Sequence, residues 1–211
     1  MSRVYLVRHG QTAWNVGEIF RGRVDIPLDE TGKQEVHLAG EALKDETLHA
    51  VYSSPLSRSM ETAENIAKFH NISVTPLDAI VDISYGEWEG LENQEVQKKY
   101  PELHDLWLRE PHKVKFPKGE SLDEVRSRTM AALDELIVKH RDENFALVAH
   151  RVPNKVICCA LLGLDNSHFW RIQQDTASTN LFTYQNGQWI ISFLNDTSYL
   201  KSLGKEALAD F

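Results

Sequence analysis

Residues 3–10 read Arg3-Val4-Tyr5-Leu6-Val7-Arg8-His9-Gly10, and the rest of the chain is best read outward from them. The first five are mostly apolar, aromatic or β-branched, which predicts a short buried strand running straight into a charged pair closed by glycine. The pattern returns at residues 145–151, where Phe145-Ala146-Leu147-Val148-Ala149 leads into His150-Arg151. Both histidines then lie at strand ends, and in a parallel sheet ligands sit beyond the carboxyl ends of the strands. Neighbouring strands are roughly 4.8 Å apart, so if these two are neighbours both imidazoles reach one small group.

Helical segments fill the intervals. Residues 31–45 place Val36, Leu38, Ala39, Ala42 and Leu43 on one face behind a Thr31-x-x-Gln34 capping box. Residues 49–52 predict a second strand, Ser53-Ser54-Pro55 the start of a helix running to about residue 70, and residues 72–75 a third strand. From 77 to 119 the pattern loosens around Gly86, Gly90, Pro101, Pro111 and Pro117, with two short helical pieces, and reads as an excursion over a site. Ser121-x-x-Glu124 caps a helix to about residue 140, and a helix over 153–162 stops at Gly163. Strands at 180–184 and 189–193 flank an Asn186-Gly187 turn, a hairpin signal. The expected fold is α/β: a three-layer α/β/α sandwich whose mostly parallel sheet ends in an antiparallel C-terminal hairpin, with residues 1–211 as one domain.

Composition narrows the function. The 211 residues are 42% hydrophobic and 26% charged, which is ordinary for a globular chain. Lys and Arg number 23 against 31 Asp and Glu, a net charge of -8 with no basic stripe, so nucleic acid is not an expected partner. The longest apolar run, residues 156–164, is too short to cross a bilayer, and residues 1–10 lack the order of a signal peptide. Cys158 and Cys159 are adjacent and cannot staple distant segments, and no Cys/His spacing matches a zinc site. A soluble cytoplasmic protein is expected. The triplets Asn71-Ile72-Ser73 and Asn195-Asp196-Thr197 match a glycosylation pattern, but nothing else points to secretion.

Each histidine is flanked by an arginine, Arg8 or Arg151, and Arg58 falls in the first turn of the helix after Pro55. Guanidinium groups beside a helix N-terminus favour a phosphate. The other phosphate chemistries fail on inspection: there is no Walker loop, no G-x-G-x-x-G, no arginine six residues after a cysteine, and no Asp-x-Asp after the first strand. Histidine remains as the nucleophile.

Leu6-Val7-Arg8-His9-Gly10-Gln11-Thr12-Ala13-Trp14-Asn15 resembles the opening signature of the histidine phosphatase superfamily, in its phosphoglycerate-mutase-like branch. The likeness continues through Ser53-Ser54-Pro55-Leu56-Ser57-Arg58, Tyr85-Gly86-Glu87-Trp88-Glu89-Gly90, Gly119-Glu120-Ser121 and Val148-Ala149-His150. Residues 110–114 and 159–164, with Phe169-Trp170, look most like metal-independent phosphoserine phosphatases.

The resemblance implies that His9 accepts the phosphoryl group, that Arg8, Arg58 and His150 form a cationic pocket, and that Asn15 adds a phosphate contact. It places the acid at Asp82, where relatives usually carry Glu, with Glu87 and Glu89 as substitutes. Arg21 and Tyr85 are the expected substrate contacts; Tyr85 stands where the phosphoserine-type enzymes carry His, and Arg151 replaces a small residue. Trp14 and Trp88 are expected to pack, and Arg23 and Lys118 to be solvated. The implied activity is phosphatase action on a small phosphorylated metabolite without metal or cofactor. Mutase-type transfer and a weakly catalytic phosphate-binding or interaction module are the alternatives. A homodimer, formed by the hairpin and tail after Phe182, is also implied.

Overall fold

A computed structural model describes residues 1–204; the last part of the expected domain, and of the tail, lies outside the described residues. Among these, six strands make one sheet: β1 (Ser2–Arg8), β2 (Ala50–Ser53), β3 (Val74–Pro76), β4 (Phe145–Ala149), β5 (Thr179–Gln185) and β6 (Gln188–Asp196). Their order is β3-β2-β4-β1-β5-β6. The first four pair in parallel, and β5 and β6 add antiparallel to the β1 edge. The two histidine strands are neighbours, with Arg8 opposite Ala149.

Side-chain alternation makes the layers. Tyr5, Val7, Ala146 and Val148 face Leu43 of α2 (Glu30–Leu43) and Ala63 and Ile66 of α3 (Ser57–Ala67). Leu6, Leu147 and Phe182 face Leu133 and Leu136 of α6 (Leu122–Lys139) and Ile157 of α7 (Arg151–Leu161). Each buried Leu, Ile, Val or Phe among them contributes about 1.5–3 kcal/mol, so both faces hold the sheet. The expected sandwich and terminal hairpin are present, and Asn186 and Gly187 both have positive φ, as a tight hairpin turn demands.

Residues 77–119 are not a loose cover. They contain α4 (Asn93–Lys99), α5 (Pro101–Arg109) and short 3₁₀ turns, and their aromatic residues form a second core. Tyr85 and Trp88 lie edge-on to Phe116 at 4.9 and 5.0 Å, and Trp107 packs on Phe169 at 5.3 Å. This core sits on the first turn of α6 and the first two turns of α7, through Leu122, Val125, Val152 and Val156.

Several boundaries differ from expectation for local reasons. β4 and the Ser121–Glu124 capping box are where they were expected. The cap of α2 is Asp29, whose side chain accepts from the Gly32 amide at 2.7 Å, so Thr31 lies inside the helix. Ser54 caps nothing at α3: that helix starts at Ser57, whose amide donates to Asp25 Oδ1 at 2.9 Å, and it stops at Ala67. β2 and β3 sit one to two residues later than the apolar runs suggest, and α7 begins already at Arg151.

The amino end of α2 is stitched to the loop that follows β1. The Asp29 amide donates to Gln11 O at 3.0 Å, and the Gln11 amide donates to buried Glu35 at 2.7 Å. Helix and loop approach so closely at Gly32 that an added Cβ would lie 2.1 Å from Gln11 O. Gly32→Ala is therefore expected to push the loop bearing His9. The expected destabilisation is about 1–3 kcal/mol, or roughly 2–4 °C in Tm per kcal/mol for a chain this size. Calorimetry of the variant checks this, and an unchanged Tm contradicts the close approach.

Candidate active site

Three adjacent parallel strands deliver their next residues to one place. His9 follows β1 and its amide donates to Ala149 O at 3.0 Å; His150 follows β4; Ser54 follows β2 and donates to Val148 O at 3.0 Å. The two imidazole centroids are 5.1 Å apart, and both rings are buried.

His9 Nδ1 lies 2.6 Å from the Gly10 carbonyl oxygen. A carbonyl only accepts, so Nδ1 carries the proton and Nε2 keeps its lone pair. Nε2 is buried with no hydrogen-bond partner among the described residues. Burial above all, then the charges of Arg58, Arg8 and Arg21, hold the His9 pKa well below the usual imidazole range. His150 is depressed in the same way by burial, Arg58 and His9. Its Nε2 meets Ser54 Oγ at 2.7 Å and Ser59 Oγ at 3.4 Å, and its Nδ1 faces Asp82 Oδ2 at 3.8 Å.

The guanidinium groups are aimed by backbone carbonyls. Arg58 enters from the first turn of α3 and donates to Gly22 O at 2.9 Å and Val24 O at 3.0 Å. Arg8 donates through Nη1 to Gln174 O. Asn15, in α1 (Ala13–Val16), accepts from the Thr12 amide and hydroxyl at 2.9 Å, while its buried Nδ2 has no partner among the described residues. Burial and the nearby Arg8 charge bring partly buried Arg21 down to about 9, so it is still a cation at neutral pH.

Asp82 lies among these groups, 5% exposed. Its Oδ1 accepts from the Ile83 amide at 2.9 Å and its Oδ2 is 3.5 Å from Arg58 Nη2. Burial raises its pKa above the usual aspartate value, against the pull of Arg58 and Arg21. The short arm is placed by its backbone: Arg128 Nη2 and Arg23 Nε donate to Asp82 O at 3.2 and 3.4 Å, and Glu120 anchors Arg128 and the Ser84 amide at 2.9 Å each.

Neither substitute acid reaches this place. Glu87 is exposed, paired with Lys118 at 3.0 Å and Tyr100 at 3.0 Å, which hold its pKa low. Glu89 accepts from the Tyr85 amide at 3.0 Å and serves the turn.

A narrow cleft of about 20 Å³, room for one water, lies beside Asp82 between Asn15, Phe20, Arg21, Tyr85 and Arg151. The ring of Tyr85 belongs to the second core, and burial raises the pKa of its phenol. Trp88 is fully buried, whereas Trp14 is half-buried. Lys118 is solvated, and exposed Arg23 braces Asp82 as well as pairing with Glu120 at 3.2 Å. Sequence reasoning missed Ser54, Ser59 and Gln174, which meet the site only through tertiary contacts. Arg151 carried the one available signal, its place directly after the second histidine.

Among the described residues no three His, Cys, Asp or Glu side chains group as a metal-binding cluster. No described helix is long and apolar enough to cross a membrane.

Two imidazoles, convergent guanidinium groups and a raised carboxyl at the carboxyl edge of a parallel sheet define a phosphoryl-transfer enzyme of the histidine type. The chain belongs to the histidine phosphatase superfamily (branch 1), whose model matches residues 4–197. It is 39% identical over 207 residues to phosphoserine phosphatase 1 of Hydrogenobacter thermophilus, covering 98% of each chain. It is 31% identical to a metal-independent phosphoserine phosphatase of Arabidopsis thaliana, over 97% of this chain and 85% of that one. The solved structure of Bacillus stearothermophilus YhfR superposes with a TM-score of 0.91 at 28% identity, over 95% of this chain and 100% of the other. The protein is accordingly a phosphomonoester hydrolase acting on small phosphorylated metabolites.

The depressed histidines set a sign for pH dependence. Below the ordinary imidazole pKa of about 6.5 the unfolded chain takes up protons that native His9 and His150 refuse. Stability is therefore intact above that pH and falls as the pH drops below it, by up to about 1.4 kcal/mol per pH unit per histidine. Asp82 acts oppositely, costing stability as the pH rises from 3.8 through its raised value. Denaturant titrations between pH 7 and 5 should show the loss in the wild type and a smaller one in His9→Ala and His150→Ala.

Proposed function

We propose that His9 Nε2 attacks the phosphorus of a small phosphomonoester, with phosphoserine the first candidate given the named relatives. The observation that carries this is the tautomer of His9: Nδ1 bonded to Gly10 O, and Nε2 buried beside His150 with no partner among the described residues.

Arg8, Arg58, Asn15 Nδ2 and His150 hold the non-bridging oxygens, whose charge grows in transfer. The dianion offsets the arginine charges that depress His150, so His150 gains a proton when phosphate binds. As the Nε2–P bond forms and the ester P–O bond breaks, Asp82 gives its proton to the departing oxygen. Burial raises its pKa and so favours the protonated form that this step uses. A water then loses a proton to the Asp82 carboxylate and attacks phosphorus; the N–P bond breaks and inorganic phosphate leaves. Arg21 and Tyr85 line the cleft that receives the leaving group.

Water is the acceptor in this reading, which the relatives named phosphoserine phosphatases support, and mutase transfer is the lesser one. A weakly catalytic phosphate-binding or interaction module is disfavoured by the placement of Asp82 against Arg58 and His150. We further propose that residues 1–211 act as one domain with 77–119 as its roof. The two buried free thiols fit a reducing cytoplasm, and the exposed Ile190 of β6 offers a dimer surface.

Incubation with a labelled phosphomonoester should give an acid-labile, base-stable phosphoenzyme in the wild type and none in His9→Ala. Phosphate on serine, aspartate or cysteine contradicts the assignment. Turnover should survive exhaustive chelation, and loss restored by a divalent metal would overturn the mechanism. Asp82→Asn should lower kcat/KM for an alkyl phosphate by about 10²–10⁴-fold and far less for an aryl phosphate whose phenolate departs unaided. Equal losses remove Asp82 from the acid role.

A further inference from the structure

The proposed chemistry asks His150 to change charge, and each of its ring nitrogens has a different neighbour. His150 is fully buried, with Nδ1 on the side of the reacting groups, 3.8 Å from Asp82 Oδ2. That nitrogen has no hydrogen-bond partner among the described residues. Nε2 meets Ser54 Oγ at 2.7 Å, a full-strength contact, with Ser59 Oγ farther off at 3.4 Å.

The backbone around Ser54 holds that contact in place. Its amide donates at 3.0 Å to Val148 O, which lies in β4 two residues before His150. Its carbonyl accepts from Ser53 Oγ at 2.9 Å. The pairing of β2 with β4 therefore sets the distance from hydroxyl to ring. The next residue, Pro55, has no amide proton, and the Leu56 amide reaches Ser54 Oγ only at 3.4 Å. Ser54 is itself fully buried, so bulk water does not compete for the bond.

A hydroxyl suits an imidazole in either charge state, because it donates to a bare ring nitrogen and accepts from a protonated one. In the empty site His150 is held neutral by burial first, then by Arg58, His9, Arg21 and Arg8, with Asp82 facing its Nδ1. A phosphoryl dianion reverses the arginine contribution and favours the imidazolium. That cation carries an N–H on both nitrogens. Nδ1–H is matched by the phosphoryl oxygens, whereas Nε2–H is a buried charged donor that needs an acceptor of its own.

We propose that Ser54 is a positioning residue for His150: its hydroxyl accepts from Nε2–H and so lets the ring take a second proton from solvent when phosphate binds, with Nδ1–H turned on the phosphoryl oxygens. This deepens the phosphatase reading above and rests on it. The test uses inorganic phosphate as the probe on the purified full chain, as wild type, Ser54→Ala, Ser54→Cys, Ser54→Thr and Ser59→Ala. The charge of His150 at pH 7, with and without phosphate, is read by ¹⁵N NMR with its signals assigned from His150→Ala. Titration gives the phosphate Kd.

In the wild type, saturating phosphate should put protons on both ring nitrogens. Ser54→Ala should leave His150 neutral in the complex and raise the Kd by about 10- to 100-fold. Ser54→Cys keeps the shape but offers only a weak acceptor, so it should follow Ser54→Ala. Ser54→Thr keeps the hydroxyl and should bind as the wild type does; if its added methyl prevents folding, the alanine and cysteine variants carry the test. Ser59→Ala should lose less than Ser54→Ala, because its contact is longer. A doubly protonated His150 in Ser54→Ala, an unchanged Kd, or a Ser54→Cys that binds like the wild type overturns the proposal. So does a loss in Ser59→Ala equal to that in Ser54→Ala. A wild-type His150 that stays neutral in saturating phosphate overturns the proposal together with the protonation step beneath it. A wild type that hydrolyses neither phosphoserine nor an aryl phosphate overturns the phosphatase reading, and the proposal with it.

Discussion

The hydrogen bond between His9 Nδ1 and the Gly10 carbonyl, 2.6 Å long, decides which ring nitrogen faces the ligand edge of the sheet. Everything around it keeps that choice intact. The Ala177 amide donates to His9 O at 3.0 Å, so the short connection after β1 is held from the β5 side. Glu35 holds the other side, accepting from the Gln11 amide and from Thr176 Oγ1, each at 2.7 Å. A bare glycine at position 32 allows helix and loop to touch. These are tertiary contacts serving one tautomer, and they explain why polar side chains are buried so close to a sheet core.

Burial then acts in opposite senses on the two kinds of titrating group. It disfavours charge, so it pushes His9 and His150 toward the neutral base and Asp82 toward the neutral acid. A nucleophile needs a free lone pair and a general acid needs a proton, and one dry pocket supplies both. The arginines strengthen the first effect and oppose the second, so Asp82 sits where the balance between desolvation and Arg58 leaves its pKa raised. A bound dianion reverses the arginine contribution, which couples binding to protonation of His150.

Much of this was legible in the chain. The strands at 3–7 and 145–149 were readable because buried parallel strands are continuous apolar runs, and the Asn186-Gly187 hairpin because its turn needs positive φ. His9, His150 and Arg58 were readable because each follows a strand or opens a helix. The rest depended on contacts distant in sequence. Ser54 looked like a helix cap, yet its hydroxyl is taken by His150, ninety-six residues away. Thr31 looked like a cap because Asp29, two residues earlier, reveals itself only by its bond to Gly32. Residues 77–119 looked loose because their order comes from aromatic pairs such as Tyr85 with Phe116, which leave no period in the sequence.

The most direct test of the account is a ¹⁵N NMR titration of the histidine side chains in the substrate-free enzyme, with His9 assigned from the spectrum of His9→Ala. The account predicts a neutral His9 ring with the proton on Nδ1 and the lone pair on Nε2, unchanged as the pH falls well below 6.5. A His9 that titrates near 6.5, or carries its proton on Nε2, contradicts it.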